Sequence, residues 1–389
     1  MYTLALHAVH TALGARFEEQ HGWNVPMACG DPIAEHHAAR TSVGLIDVSD
    51  GGKLRALGPD VAGVLHGILT NEIRHLACNR GCLAALLNDL GRMRSLLAVL
   101  RTPEGFLLET PPHLASRTRD LIDTYIITED ATIEDVTATM SILSLQGPAS
   151  ARLITDLVVD NACANVVATE RTDPPEFSHA KATLVNGVEV RVVRRTRTGE
   201  DGYDLLLDNK DCVPCWELLH ERVVSAGGCA VGRAALDVLR VEAGIPSYGT
   251  DIEDATIPLE AGLCEAISHE KGCYLGQEVI ARLTHLSKPV RRLVTLLPTA
   301  AVAPGAKVLF EDQDAGRITS IATSPLAGGP VALAYVRTRV LSRGPSTLTV
   351  EGAPATLLPG PFYRAASAPR AEIPPSPPRP KGLGLSTLP

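Results

Sequence analysis

The residues best suited to chemistry lie in one run, His-Glu-Lys-Gly-Cys-Tyr-Leu-Gly-Gln-Glu, residues 269 to 278. One thiol, Cys273, follows Lys271 and Gly272 and precedes Tyr274, Gly276, Gln277 and Glu278. Beyond Gly276, the apolar residues Val279, Ile280, Leu283 and Leu286 share one face of an expected helix. Gly272 and Gly276 break the chain ahead of it. A thiol at a helix N-terminus faces unpaired N–H groups and the positive end of the helix dipole. The Lys271 ammonium, two residues away, adds to that field. Both favour the thiolate, which attacks electrophiles and binds soft metals. The competing expectation is a small buried residue, the usual fate of a free cysteine. Gln277 and Glu278 are expected to orient the loop as capping residues.

A second stretch, Thr198-Gly-Glu-Asp-Gly202, sets adjacent carboxylates between two glycines. By itself it reads as a solvated turn. A carboxylate held on such a turn, here Glu200, can also accept two neighbouring N–H groups in a charge-assisted pair. Arg233 opens a strong helix, where it reads either as an anion contact or as an ion-pair partner. Cys212 and Cys215 have the spacing of a redox pair, or else fill the first turn of a helix over 212 to 224. Cys78 and Cys82, four apart, read as structural residues on a helix. His36 and His37 point about 100° apart on a helix and cannot easily share a metal. No metal site is expected.

These groups need a large scaffold. The 389 residues allow two or three domains. Hydrophobic residues are 45% and charged residues 21%, a globular balance. The net charge of −8 argues against broad electrostatic binding of nucleic acid. No apolar run is long enough to span a membrane, and no signal peptide is read at the N-terminus. Nine scattered cysteines suggest reduced thiols and a cytoplasmic protein, expected to be monomeric.

Along the chain, residues 1 to 45 read as two helices around a loop holding Gly22, Trp23, Pro26 and Gly30. The second helix starts at Asp31-Pro32, a cap followed by proline. Strands and helices then alternate, with strands at 83–87, 94–100, 106–109, 188–193 and 203–207. Beyond Pro289 short strands separated by Pro/Gly turns predict an antiparallel barrel, closed by Pro361-Phe362-Tyr363. Residues 366–389 read as a disordered, proline-rich tail.

The run Lys271-Gly-Cys-Tyr-x-Gly-Gln-Glu278 resembles the signature of the YgfZ family of folate-binding proteins. That family is a branch of the aminomethyltransferase (glycine cleavage T-protein) superfamily. The N-terminal Gly-Trp…Pro, Glu-His…Arg and Asp-Val-Ser stretches, the Thr-Gly-Glu-Asp-Gly loop, Thr70-Asn71, Leu239 to Pro246 and Tyr248 to Ile252 resemble the superfamily too. The resemblance covers about 365 residues, all but the tail.

It implies an α+β fold, a three-domain cloverleaf with a C-terminal antiparallel β-barrel. The first domain would join 1–50 to 141–245, the second 51–140 to 246–288, and the barrel would span 289–365. It implies tetrahydrofolate as cofactor, with Glu200 on the pterin and Arg233, Asn71 and Tyr248 as further binding residues. It implies iron–sulfur proteins or cluster-assembly factors as partners, a link to tRNA modification, and a working role for Cys273 and Lys271.

Two departures stand out. Arg197 occupies the place of the superfamily's usual tyrosine. Ser95 and Leu96 replace the acidic pair of the Gly-Gly-x-x-Asp-Asp stretch. Glycine cleavage is therefore disfavoured on sequence. The alternative is a folate-dependent one-carbon transferase, an aminomethyltransferase of the glycine cleavage system or a demethylase, using another acid in place of the lost pair.

Overall fold

The structure, a computed structural model, describes residues 1–169 and 172–365. The tail read as disordered lies outside the described residues.

Both helices expected in the first 45 residues form, but the loop between them is a strand hairpin. β1 (Tyr2–Thr3) and α1 (His7–Ala12) are followed by the hairpin of β2 (Arg16–Gln20) and β3 (Trp23–Ala28). His21 and Gly22 hold φ of 52° and 82°, the left-handed pair that a two-residue hairpin turn needs. Trp23 and Pro26 are thus strand residues. α2 (Pro32–Thr41) begins as expected, with the Asp31 side chain accepting the Ile33 N–H at 3.3 Å.

β4 (Gly44–Asp47) belongs to one sheet, and β5 (Gly52–Leu57) starts another. The second sheet adds β6 (Gly81–Leu87), β7 (Met93–Arg101), β8 (Gly105–Thr110) and β9 (Thr132–Asp135), in the order β6-β7-β8-β5-β9. α3 (Val61–Ile68) and α4 (Ala115–Asp123) pack Leu65, Ile68 and Ile122 against its Leu54, Leu97 and Phe106.

The chain then returns to the first sheet through β10 (Met140–Gln146) and α5 (Ser150–Leu157). β11 (His179–Thr183), β12 (Glu189–Arg194), β13 (Gly202–Asp208), α6 (Cys212–Ser225) and β14 (Cys229–Ala230) follow. The strand order is β11-β12-β13-β10-β4-β14. α5 and α6 cover it around the buried Trp216.

Both sheets launch their first helix through Gly-Pro. A Cβ at Gly58 would lie 2.2 Å from the Asp130 carbonyl oxygen, and one at Gly147 2.5 Å from that of Ser42. Their φ values of 109° and 137° also exclude other residues.

α7 (Arg233–Glu242) and α8 (Gln277–His285) flank a long connection. The barrel then forms from β15 (Arg291–Pro298), β16 (Lys307–Phe310), β17 (Gln313–Ser324), β18 (Gly329–Arg337), the short α9 (Thr338–Leu341), β19 (Thr347–Val350) and β20 (Ala353–Leu357). It closes in the order β15-β18-β17-β16-β19-β20. Closure leaves no free edge, and Leu296, Val308, Ile318, Val336 and Val350 fill the interior. β20 pairing with β15 makes the closure, not Pro361 to Tyr363 as expected. That segment leaves the barrel, and the Tyr363 ring stacks under Arg40 at 3.6 Å.

Candidate functional site

The two sheets and the barrel meet around a cavity of about 740 Å³. The second sheet contributes Cys82, Leu83 and Leu96, and the barrel contributes Val294, Thr295 and Leu333. From the first sheet's side come Glu176, Phe177, Arg195 and Thr196, with Arg364 entering from beyond the barrel. An apolar lining with a few polar groups is the usual make-up of a small-molecule site.

Strand alternation decides what position 95 and 96 offer. Ser95 is fully buried on the far side of β7, where its hydroxyl accepts from Thr118 at 2.9 Å. Leu96, on the opposite face, lines the cavity. Neither supplies an acid.

Beside the cavity lies a compact charge cluster. Arg197 donates to Asp204 at 2.7 Å and to Glu109 at 2.9 Å. Arg195 also pairs with Glu109. Burial works against the Glu109 charge, but Arg195 and Arg197 outweigh it and hold its pKa down at about 2. The arginine that replaces the superfamily's tyrosine is therefore a buried bridge between two carboxylates, not a stacking surface. Sequence spacing gave no hint of Glu109.

Glu200, expected on a pterin, is held by protein partners. Its carboxylate accepts from Arg40 at 3.1 Å and from the Tyr363 hydroxyl. Arg40 also donates to Glu242 at 2.7 Å and to the Thr198 carbonyl at 2.8 Å. Glu242 takes further bonds from His36 at 2.9 Å and Ser324 at 2.5 Å. This network ties α2, α7, the 198–202 loop and the barrel together. Glu200 is not among the residues that line the cavity of about 740 Å³. His36 on α2 is legible in sequence, but its partner 206 positions away is not.

The other expected binding residues also have protein partners. Arg233 pairs with Asp50. The Asn71 amide donates to the Leu83 and Glu265 carbonyls, both at 2.8 Å. The Tyr248 hydroxyl donates to Asp254 at 3.0 Å.

The Cys273 run divides into exposed and buried halves. Cys273 is exposed, which answers the expectation of a buried thiol. Lys271 is only 8% exposed. Its ammonium donates to the carbonyls of His66, of Leu69 at 2.6 Å and of Asn71 at 3.0 Å. It therefore caps the C-terminal carbonyls of α3, and those bonds hold its charge in place. Burial lowers its pKa to about 8.

Tyr274 is buried, its ring 5.1 Å from the Lys271 ammonium. Gly276 holds φ 79° as the N-cap of α8, and a Cβ there would lie 2.4 Å from the Asn88 carbonyl oxygen. Gly272 has open space around it. No side chain caps α8, so Gln277 and Glu278 do not act as capping residues. Ile280 is buried, whereas Leu286 is 84% exposed and leaves the expected apolar face.

Cys212 and Cys215 are both buried in the first turn of α6, and burial pushes each thiol up to about 12. That leaves them protonated and poor nucleophiles. Cys82 lies on β6 and Cys78 in an exposed loop, not on a helix. Among the described residues no group of His, Cys, Asp and Glu could hold a metal ion, and no helix is long and apolar enough to cross a membrane.

Comparison with known proteins settles the family. Residues 6–271 match the GCVT N-terminal domain and residues 291–364 the glycine cleavage T-protein C-terminal barrel domain. The chain belongs to the aminomethyltransferase (glycine cleavage T-protein) superfamily. An aminomethyltransferase of Rubrobacter xylanophilus is 32% identical over 363 residues, 92% of this chain and 93% of that one. One from Cutibacterium acnes is 30% identical over 368 residues, 92% and 97% of the two chains. The crystal structure of glycine cleavage system aminomethyltransferase T from Bartonella henselae superposes with a TM-score of 0.78 at 25% identity. It covers 93% of this chain and 98% of that one. These relatives carry the aminomethyltransferase name and not that of the YgfZ branch. The aminomethyltransferase superfamily is folate-dependent, and its fold, with a closed six-stranded barrel, is the one described above.

Proposed function

We propose that this protein is a folate-dependent one-carbon transferase that takes tetrahydrofolate into the central cavity. The observation that carries the reading is the meeting of both sheets and the barrel around one cavity, in a chain of the aminomethyltransferase superfamily matched over residues 6–271 and 291–364. Its size and lining suit a flat, reduced pterin with an aromatic tail. Leu83, Leu96 and Phe177 offer apolar surface, Glu176 and Arg195 polar contacts, and the exposed Arg364 a cation for a terminal carboxylate. Tetrahydrofolate supplies the nucleophilic nitrogen of the reaction. The protein's residues exclude water and orient it.

The direct test is a tetrahydrofolate titration of the purified full chain, followed by turnover with a methyl or aminomethyl donor. Saturable binding with formation of one-carbon-loaded folate supports the assignment. Failure to bind at millimolar concentration ends it.

A second reading, support of iron–sulfur cluster assembly as in the YgfZ branch, draws on the exposed Cys273 within its eight-residue run. There the thiol would meet an iron–sulfur species or a target protein, with folate bound separately. Cys273→Ala should then abolish support of iron–sulfur enzymes in cells while folate affinity stays within about twofold. Full complementation by Cys273→Ala removes that reading.

A further inference from the structure

We infer that Glu176 is the acid–base residue of the central cavity, taking over the role left empty by Ser95 and Leu96. This inference rests on the proposal that tetrahydrofolate occupies that cavity.

Among the described residues lining the cavity, two carry carboxylates, Glu176 and Glu265. Glu265 also lacks an ion-pair partner among the described residues and burial raises its pKa too, but the residue is exposed and its carboxylate bonds its own backbone N–H, with Cys264 and Arg292 nearby. Glu176 stands beside Phe177, Arg195 and Thr196. Its carboxylate accepts one backbone N–H, that of Thr196, shared by both oxygens at 3.2 Å. It has no ion-pair partner among the described residues. That is unusual in a region where Glu109, Asp204 and Glu200 are each locked to arginine. Those three are unavailable for proton transfer. Glu176 keeps most of its lone pairs unused.

The backbone holds Glu176 there by force. The Ser178 N–H bonds the Pro175 carbonyl at 3.1 Å, closing a turn with Glu176 and Phe177 at its centre. Phe177 sits at φ 62°, a left-handed conformation that a bulky residue rarely adopts. Such strain is retained where the surroundings over-determine it, and functional sites are the usual place. Here the Phe177 N–H bonds the Arg194 carbonyl at 2.8 Å, and Arg80 bonds Ser178. The turn is thereby fixed to both sheets.

Proton affinity agrees with the geometry. Burial pushes Glu176 up to about 7, against the Thr196 N–H and the charges of Arg195 and Arg194, with Asp204 adding to the rise. A group that titrates near neutrality both takes and gives a proton efficiently. In the transfer, the carbon–nitrogen bond forms as the donor's carbon–heteroatom bond breaks. The heteroatom keeps the bonding electron pair. Glu176 takes the proton released by the attacking nitrogen and passes it to the departing heteroatom.

The test uses the full chain and Glu176→Gln, with Glu176→Asp and Glu265→Gln beside it. Carboxyl-labelled glutamate read by NMR in the free protein should show one group titrating near pH 7, absent from Glu176→Gln. Turnover should fall about 100-fold or more in Glu176→Gln, recover in part in Glu176→Asp, and lose its pH dependence near 7. Tetrahydrofolate affinity should fall far less than turnover, and the circular dichroism spectrum should stay that of the folded wild type. No titrating group near 7, or an equal loss in Glu265→Gln alone, overturns the assignment to Glu176. Wild-type protein that binds no tetrahydrofolate overturns the folate reading itself, and this assignment with it.

Discussion

The Lys271 ammonium lies 2.6 Å from the carbonyl oxygen of Leu69, at the end of α3. One positive charge thus caps a helix 202 residues earlier in the chain. It also fastens the Cys273 loop to the second sheet's helix layer. The loop presents its thiol because its lysine is anchored.

If that anchoring is the lysine's main work, Lys271→Met will act on stability. It leaves the carbonyls of His66, Leu69 and Asn71 without donors, at a cost of about 2 kcal/mol or more. Denaturant unfolding should show the loss. Alkylation of Cys273 in the folded variant should keep nearly its wild-type rate. A tenfold slower rate would restore the activating role that the sequence suggested.

Gly276 is required by shape. A methyl group there meets the Asn88 carbonyl oxygen at 2.4 Å, on a backbone at φ 79°. Gly276→Ala should cost about 1–3 kcal/mol and loosen α8 from the turn at Asn88 to Gly91. Faster amide exchange confined to residues of α8 would report it. Unchanged exchange would mean that the docking is slack.

The Glu109–Arg197–Asp204 bridge sets an acid limit. The folded-state pKa of Glu109, about 2, is below its unfolded value. Its contribution is therefore complete above the unfolded pKa, near 4.5, and lost as pH falls through about 2. Arg197→Tyr restores the superfamily's residue but takes the close arginine from buried Asp204 and leaves Glu109 with Arg195 alone. We expect a loss of about 3 kcal/mol and a higher acid midpoint by circular dichroism. A neutral or stabilising outcome would show that the cluster is not coupled as drawn.

Glu176 has the opposite sign. Its folded-state pKa, about 7, is above the unfolded value. Between about 4.5 and 7 the folded state holds a proton that the unfolded chain has released, so stability declines as pH rises through that window. Glu176→Gln removes this decline. The variant should be more stable than wild type at pH 8, by up to about 3 kcal/mol, and nearly equal at pH 4.5. Melting curves at the two pH values test this. A variant less stable than wild type at pH 8 would mean that the carboxylate is favourably solvated there.

Much of the fold was legible. The Asp31-Pro32 start of α2, α7 and the short barrel strands follow local rules of capping, helix periodicity and alternation. The N-terminal hairpin was missed because Trp23 and Pro26 read as loop residues, and Pro26 lies within β3, where only its pairing with β2 marks a strand. Leu286 was placed on a buried face because its spacing fits. It is exposed because α8 ends at His285, ahead of a strand that turns away.

By itself the sequence determined most local elements and the superfamily, since these depend on residue type at fixed spacing. The site was decided by the tertiary structure. Which carboxylates are paired depends on arginines brought in from 88, 160 or 202 residues away. Desolvation and charge pairing act through space, so Glu109, Glu200 and Glu242 are tied to arginines, and of these four Glu176 alone has no arginine ion pair among the described residues. The same holds for Lys271 and Cys273. Two residues apart in the chain, one is buried against a helix end and the other is open to solvent, because packing, not spacing, assigns each side chain its surroundings.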